Sequence, residues 1–420
     1  MEVTDKSSSS VSIFRKILIG LSAVGPGLFL IGYNIGTGSV TTMAKAGAEY
    51  GMTLFWAIVL SCVFTYILMV AYGRLTLTTE KTALFNIRHN FKFGDILAIY
   101  ILAALIIGEI LALMGIMGIV TELLHEGARL VSDDISFNPI WITSILVIGL
   151  YVLLWYGQYK VFEKILTGFV ILMGVSFIIV FFMVKPDVMV ILKGLVPSIP
   201  KQDGAFQLVA AMAGTTCSAA VFIMRSTVVA EKGWTIKDLN TEKKDALVSA
   251  SMMLFLSAII MAVAAGTLHV QGLKLTNTVE MIQLFEPIGG KYAAFILILG
   301  ISGAGLSTVF PIILIAPWLI CDYTGKPRNI KSPLFRILGL VGILFCFGMH
   351  IVDKRPPAMM VFSQAFQACI LPAVAIPAFI LINRKPLMKQ NSTGMLMNIG
   401  LVAVIVFAFI TTYFAIIDLF

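Results

Sequence analysis

Charge is what this sequence has least of. Of its 420 residues only 12% are Asp, Glu, Lys or Arg, against about 25% in soluble domains. Histidine is scarce too: His89, His125, His269 and His350 fall in loops or at the ends of apolar runs, and no two stand at metal-ligand spacing. The five cysteines, Cys62, Cys217, Cys321, Cys346 and Cys369, sit in or beside apolar runs without paired spacing. That excludes a disulfide framework and a zinc site. No phosphate-cradling Gly-rich loop ending in Gly-Lys-Ser/Thr occurs, so an ATP-driven pump has no nucleotide site. No nucleophile–base or metal pair lies in the apolar runs, so an enzyme is not expected. No small-residue cleavage site follows a short apolar core, so no signal peptide is read.

What is there is apolar. The chain is 59% hydrophobic with a mean hydropathy of +0.97, more apolar surface than one soluble core can hide. Lipid must be the solvent for much of it. Runs long enough to cross a bilayer lie near 19–44, 52–72, 95–118, 139–156, 165–184, 206–229, 246–268, 292–319, 333–349, 358–382 and 395–417. The expected class is therefore an all-α membrane protein with about eleven spans. The Ser-rich first ten residues read as disordered, and Val11–Leu18 as an interfacial lead-in.

The net charge of +8 lies in the loops, where it suits anionic headgroups rather than nucleic acid. With the N-terminus inside, alternate loops carry 20 Lys and Arg on the inner side and 9 on the outer, and Arg225 alone lies within a span. This predicts a multi-pass cell-membrane protein with a cytoplasmic N-terminus and an outside C-terminus.

Two spans are interrupted. The first holds Gly25-Pro26-Gly27 and Gly32-Tyr33-Asn34-Ile35-Gly36-Thr37-Gly38-Ser39. The sixth holds Gly214-Thr215-Thr216-Cys217-Ser218-Ala219-Ala220. Small residues at mid-span also serve close helix packing. These two, however, open successive blocks of five spans, and an odd block length inverts the second block. Matching breaks in inverted halves point to a midplane binding site. The expected organisation is a tail and lead-in over 1–18, repeats over 19–184 and 185–382, and helix 11 with the C-terminus over 383–420.

Several short motifs resemble the natural-resistance-associated macrophage protein (NRAMP) family of proton-coupled divalent-metal transporters. They are Gly25-Pro26-Gly27 and Ala46-Gly47-Ala48-Glu49-Tyr50-Gly51, then Lys185-Pro186-Asp187 and Lys193-Gly194-Leu195-Val196-Pro197. Ser363-Gln364, Leu371-Pro372, Ile376-Pro377 and Arg384-Lys385-Pro386-Leu387-Met388 follow in the same order as in the family. The resemblance implies the LeuT-type 5+5 inverted repeat with helices 1 and 6 broken. It also exposes departures. Gly36, Thr37, Gly38 and Ser39 stand where the family has Asp-Pro-Gly-Asn. Ser218, Ala219 and Ala220 stand where it has Met-Pro-His. On helix 3 the family's acid pair is reduced to Glu109, with Ile106 at the Asp place, and Ala220 and Arg225 replace the helix 6 histidines.

Lacking the usual Asp, Asn and Met, the midplane is expected to bind manganese, iron and cadmium poorly. Met212 and Met224 flank the sixth-span break and could rebuild a thioether site, though helical spacing suits packing. The expected substrate-binding set is Asn34, Gly36, Thr37, Gly38, Ser39, Thr215, Thr216, Ser218 and Gln364. Glu109 and Arg225, charged inside spans, are the coupling or gating candidates, paired with each other or set in separate polar cavities. Gly36-Thr37-Gly38 is also similar to the carboxylate-holding stretch of amino-acid permeases, where free amides at a half-helix start favour an anion. The first expectation is thus a secondary transporter of a small polar or carboxylate-bearing solute. The alternatives are a divalent-cation transporter, for magnesium or manganese, with an altered site, and a non-transporting receptor or scaffold. No cofactor is implied. The partners are the small-molecule or ion substrate and the bilayer.

Overall fold

The computed structural model describes the backbone of residues 36–131, 137–156, 159–288, 290–326, 328–352 and 354–417, and their side chains except at 159–167, 286–288 and 290–293. The Ser-rich tail, the lead-in, Gly25-Pro26-Gly27 and Asn34 lie outside the described residues. The described residues are helical, with no strand among them. In hydrocarbon only a helix satisfies each backbone N–H and C=O within its own segment.

The chain runs through α1 (Thr37–Tyr50), α2 (Phe55–Thr79), α3 (Ala83–Asn90), α4 (Gly94–Val131), α5 (Ile140–Tyr156), α6 (Tyr159–Val184) and α7 (Val188–Lys193). It continues through α8 (Ala205–Thr216), α9 (Ala219–Glu231), α10 (Leu239–Ala264), α11 (Gly290–Thr324), α12 (Pro333–Leu344), α13 (Pro356–Asn383) and α14 (Met395–Ile417). Among the described residues, eight segments are long and apolar enough to cross a membrane. Ile140–Tyr156 and Gly168–Val184 are shorter apolar helices. With α1 as the described half of the first span, these match the eleven expected runs in order.

Large apolar side chains such as Ile145, Ile148, Phe182, Val406 and Phe409 stand exposed on the outer helices, as a lipid-facing surface requires. Short helices carry polar caps: Thr82 Oγ1 accepts from the Phe85 amide at the start of α3, and Asp187 does so from Met189 at the start of α7. Pro311 and Pro317 lie inside α11, and Pro372 and Pro377 inside α13. Packed neighbours and local adjustments make such prolines tolerable in membrane helices.

The centre is formed by α1, α4, α8, α11 and α13. α13 packs on α4 and α8, and α11 packs on α4 and α6, while α10 packs on α1 and α2. At one end, loops from distant parts of the chain meet. Arg88 bonds Asp95 at 2.6 Å and the Tyr323 carbonyl at 2.7 Å, Arg328 pairs with Glu231, and Arg384 reaches the Asn90 carbonyl. These are the loops in which the sequence concentrates Lys and Arg.

Two boundaries differ from expectation. The chain is already helical at Thr37, so Thr37, Gly38 and Ser39 are not unwound. The seventh span begins at Leu239 rather than near 246, which brings Glu242 and Asp245 into the helix.

Candidate functional site: a small cavity at two helix breaks

The sixth span is broken where the small residues predicted it. α8 ends at Thr216, Cys217 and Ser218 leave helical geometry with φ/ψ of −107/47 and −68/131, and α9 starts at Ala219. In the first span Gly36 is extended, with φ −94 and ψ −174, and caps α1 without a side-chain hydrogen bond. The breaks leave helix-terminal amides and carbonyls near one another at the centre of the bundle.

A cavity of about 30 Å³ lies between them. That is room for on the order of one water-sized occupant. Six of the expected substrate residues line it: Gly36, Gly38, Ser39, Thr215, Ser218 and Gln364. Glu109, expected only in coupling, lines it as well. Thr308, Gln367 and Met360 complete its polar and sulfur-bearing lining, with Ala112, Ile116 and Ile312 as apolar walls.

Two expected hydroxyls point elsewhere. Thr37 Oγ1 donates to the Ile301 carbonyl on α11 at 3.2 Å. Thr216 Oγ1 donates back to the Met212 carbonyl at 2.7 Å. Inside a helix a threonine satisfies itself on the preceding turn, and consecutive residues face different sides. Arg225 is also absent from the lining. It does not meet Glu109; it pairs with Glu242 and Asp245, at 2.8 Å each. The two are therefore not paired with each other: Glu109 lines the cavity, and Arg225 sits in a buried ion pair rather than in a polar cavity of its own. Met212 and Met224 are buried but do not line the cavity.

Glu109 projects from α4 and is 4% exposed. Its Oε1 accepts a hydrogen bond from Gln367 Nε2 at 2.8 Å. A carboxylate can only accept here, which fixes the amide's orientation. Gln367 Oε1, buried, is then left without a hydrogen-bond partner among the described residues. Buried polar atoms are nearly always satisfied, so this oxygen reads as an acceptor awaiting an occupant.

The close approach also explains the glycines. A Cβ at Gly36 would stand 2.2 Å from Thr308 Oγ1, and one at Gly38 would stand 2.6 Å from Met360 Cε and 2.7 Å from Gln364 Nε2. Sequence reasoning missed Gln367, Thr308 and Met360. Gln367 lies three residues from Gln364 and Met360 four, on one face of α13, a spacing that could have signalled them. Among the described residues no group of three His, Cys, Asp or Glu side chains could hold a metal ion. The donors on offer are hydroxyls, amides and one carboxylate.

The comparisons with known proteins agree with this architecture. The chain is 26% identical over 404 residues to the divalent metal cation transporter MntH of Erwinia tasmaniensis, with 94% of each chain covered. Its structure is similar to that of the Eremococcus coleocola manganese transporter, with a TM-score of 0.70 at 15% identity, covering 99% of this chain and 88% of that one. MhsT, solved in complex with L-phenylalanine, shares the fold at a TM-score of 0.63 and 12% identity, covering 94% and 98%. The family model described as natural resistance-associated macrophage protein-like matches residues 27–418, so the chain belongs to the Nramp family and is a multi-pass membrane protein of a transporter fold.

Proposed function

We propose that this protein is a secondary transporter of a hard divalent cation, magnesium or manganese, held in this cavity. The observation that carries this reading is Glu109: a buried carboxylate in a small cavity whose other polar lining, among the described residues, is neutral oxygen and nitrogen. A cation at mid-membrane needs its charge balanced and its lost waters replaced. Glu109 supplies the charge. Ser39, Thr215, Ser218, Thr308 and the amide oxygens of Gln364 and Gln367 supply neutral donors. The C-terminal end of α8 adds the negative end of a helix dipole, opposed by the N-terminal ends of α1 and α9, so the carboxylate has to supply the charge balance. Hard oxygen donors favour magnesium and manganese over cadmium, which prefers sulfur.

The relatives support a cation: Erwinia MntH is named for divalent metal transport and the Eremococcus protein for manganese. The organic solute expected from the sequence gains no such support. The deciding experiment is uptake into proteoliposomes. Magnesium or manganese should accumulate and cadmium should lag well behind. Flux of an amino acid or small carboxylate, with no flux of either metal, would refute the proposal.

A further inference from the structure

Arg225 is the largest fully buried side chain in the described structure, at 0% exposure. Its Nε donates to Glu242 Oε1 at 2.8 Å, and its Nη2 donates to Asp245 Oδ2 at 2.8 Å. Glu242 is 0% exposed and Asp245 2%. Three atoms of this triad are buried without a hydrogen-bond partner among the described residues: Arg225 Nη1, Glu242 Oε2 and Asp245 Oδ1. One guanidinium against two carboxylates leaves a net charge of minus one. Burying an unbalanced charge costs several kcal/mol even after relaxation.

Among the described neighbours no further cation is hydrogen-bonded to the triad. On α9 the next one is Lys232, exposed just past the helix end and seven residues from Arg225, whose charge reaches Glu242 only from a distance. On α10, Lys244 is exposed and Lys243 half-buried. Asp238, at the start of α10, caps Thr235. From α2 comes Gly73, so close that a Cβ there would stand 2.1 Å from Glu242 Oε1. Arg74 beside it turns to the Ser392 carbonyl, and Tyr72 donates to the Val374 carbonyl. On α1, Lys45 and Glu49 pair with each other. Arg88 of α3 is held by Asp95, and His89 sits on the Phe85 carbonyl. α6 offers no titratable side chain from Gly168 to Val184, and α13 offers only Cys369.

We propose that the Arg225–Glu242–Asp245 triad is a proton-binding site, holding one exchangeable proton shared between its two carboxylates. The proton makes the buried triad neutral and gives the unpartnered carboxylate oxygens a donor. Its release leaves one negative charge between α9, α10 and α2, which favours parting α9 from α10 so that water can enter. The site is separate from the Glu109 cavity. Its position on the second half of the broken span ties protonation to the segment that a transport cycle must move.

The test is infrared spectroscopy of the purified full-length protein near neutral pH. The wild type should show a protonated-carboxyl C=O band that shifts in deuterium oxide. Glu242→Gln and Asp245→Asn should each abolish that component, because each leaves Arg225 facing one carboxylate and needs no proton. Both variants retain a neutral buried pair, so both should fold, as size exclusion and melting would confirm. Arg225→Gln, if stable, should enlarge the band. Glu109→Gln identifies any contribution from the cavity. No band in the wild type, a band that survives both neutralisations, or one that vanishes on adding sodium at constant pH would overturn the proposal. The readout needs no transported substrate, so it succeeds or fails independently of the cation reading.

Discussion

A cation at mid-membrane needs a side chain that balances its charge. Glu109 accepts a hydrogen bond from the Gln367 amide and lines the cavity. Glu109→Gln should therefore lower magnesium or manganese uptake by roughly tenfold or more, about 1.4 kcal/mol or above, without unfolding the protein. Thr216→Val should leave half-saturation unchanged, since that hydroxyl is already bonded to the Met212 carbonyl. Initial rates in proteoliposomes decide both, and equal losses in the two variants would contradict the assignment. At this scale the sequence was half legible. Gly36, Gly38, Ser39, Thr215 and Ser218 stood out because small and hydroxyl residues at mid-span are unusual, and Gln364 through the family resemblance of Ser363-Gln364. Thr37 and Thr216 were misassigned because both belong to helices, where 3.6-residue geometry decides which side chains face the cavity. Gln367 and Thr308 escaped because single polar residues in apolar spans look like interhelical packing until the partner helices are known.

Helices were easier to read than sites. The breaks follow from Gly36 and from the Thr215–Ser218 run, and the spans follow from length and hydropathy. What failed was the start of α10. Glu242, Lys243, Lys244 and Asp245 form a charged run that reads as loop, yet two of the four face inward to Arg225. An average over a window loses the difference between a solvated turn and a helix with one charged face. The segment joining α10 to α11 offers a pH test. Glu280, near the start of the 3₁₀ turn Val279–Ile288, accepts from the Asn277 amide at 2.9 Å and from Thr276 Oγ1 at 3.0 Å. Its partial burial works to raise the carboxyl pKa, but these hydrogen bonds outweigh that and hold it below the usual carboxylate range. A depressed folded pKa means stability present above the unfolded value, about 4.3, and lost as the pH falls through the folded one. Glu280→Gln should accordingly melt slightly lower than wild type at pH 7, with the gap closing only in strong acid. A gap that closes near neutrality would contradict this account.

Seen whole, the molecule puts part of the cavity's neutral lining at helix breaks, and Glu109, with Thr308, Gln364 and Gln367, on continuous helices. Gly36, Gly38 and Ser39 sit at the start of α1, and Thr215 and Ser218 flank the break before α9. Glu109 projects from the middle of α4, unbroken from Gly94 to Val131. A helix continuous through its bonding turns has no local hinge, whereas a break can pivot. Alternating access would then rearrange hydroxyls and backbone groups around a stationary anion. The ion's electrostatic anchor would stay fixed while its coordination sphere was traded, group for group, between one face and the other. Such a carrier should be thermodynamically near-symmetric. Half-saturation for magnesium or manganese, measured from each face of oriented vesicles at matched pH and zero voltage, should agree within a few-fold. A carrier whose charge moved with the gate would instead hold its cargo tightly from one side and loosely from the other.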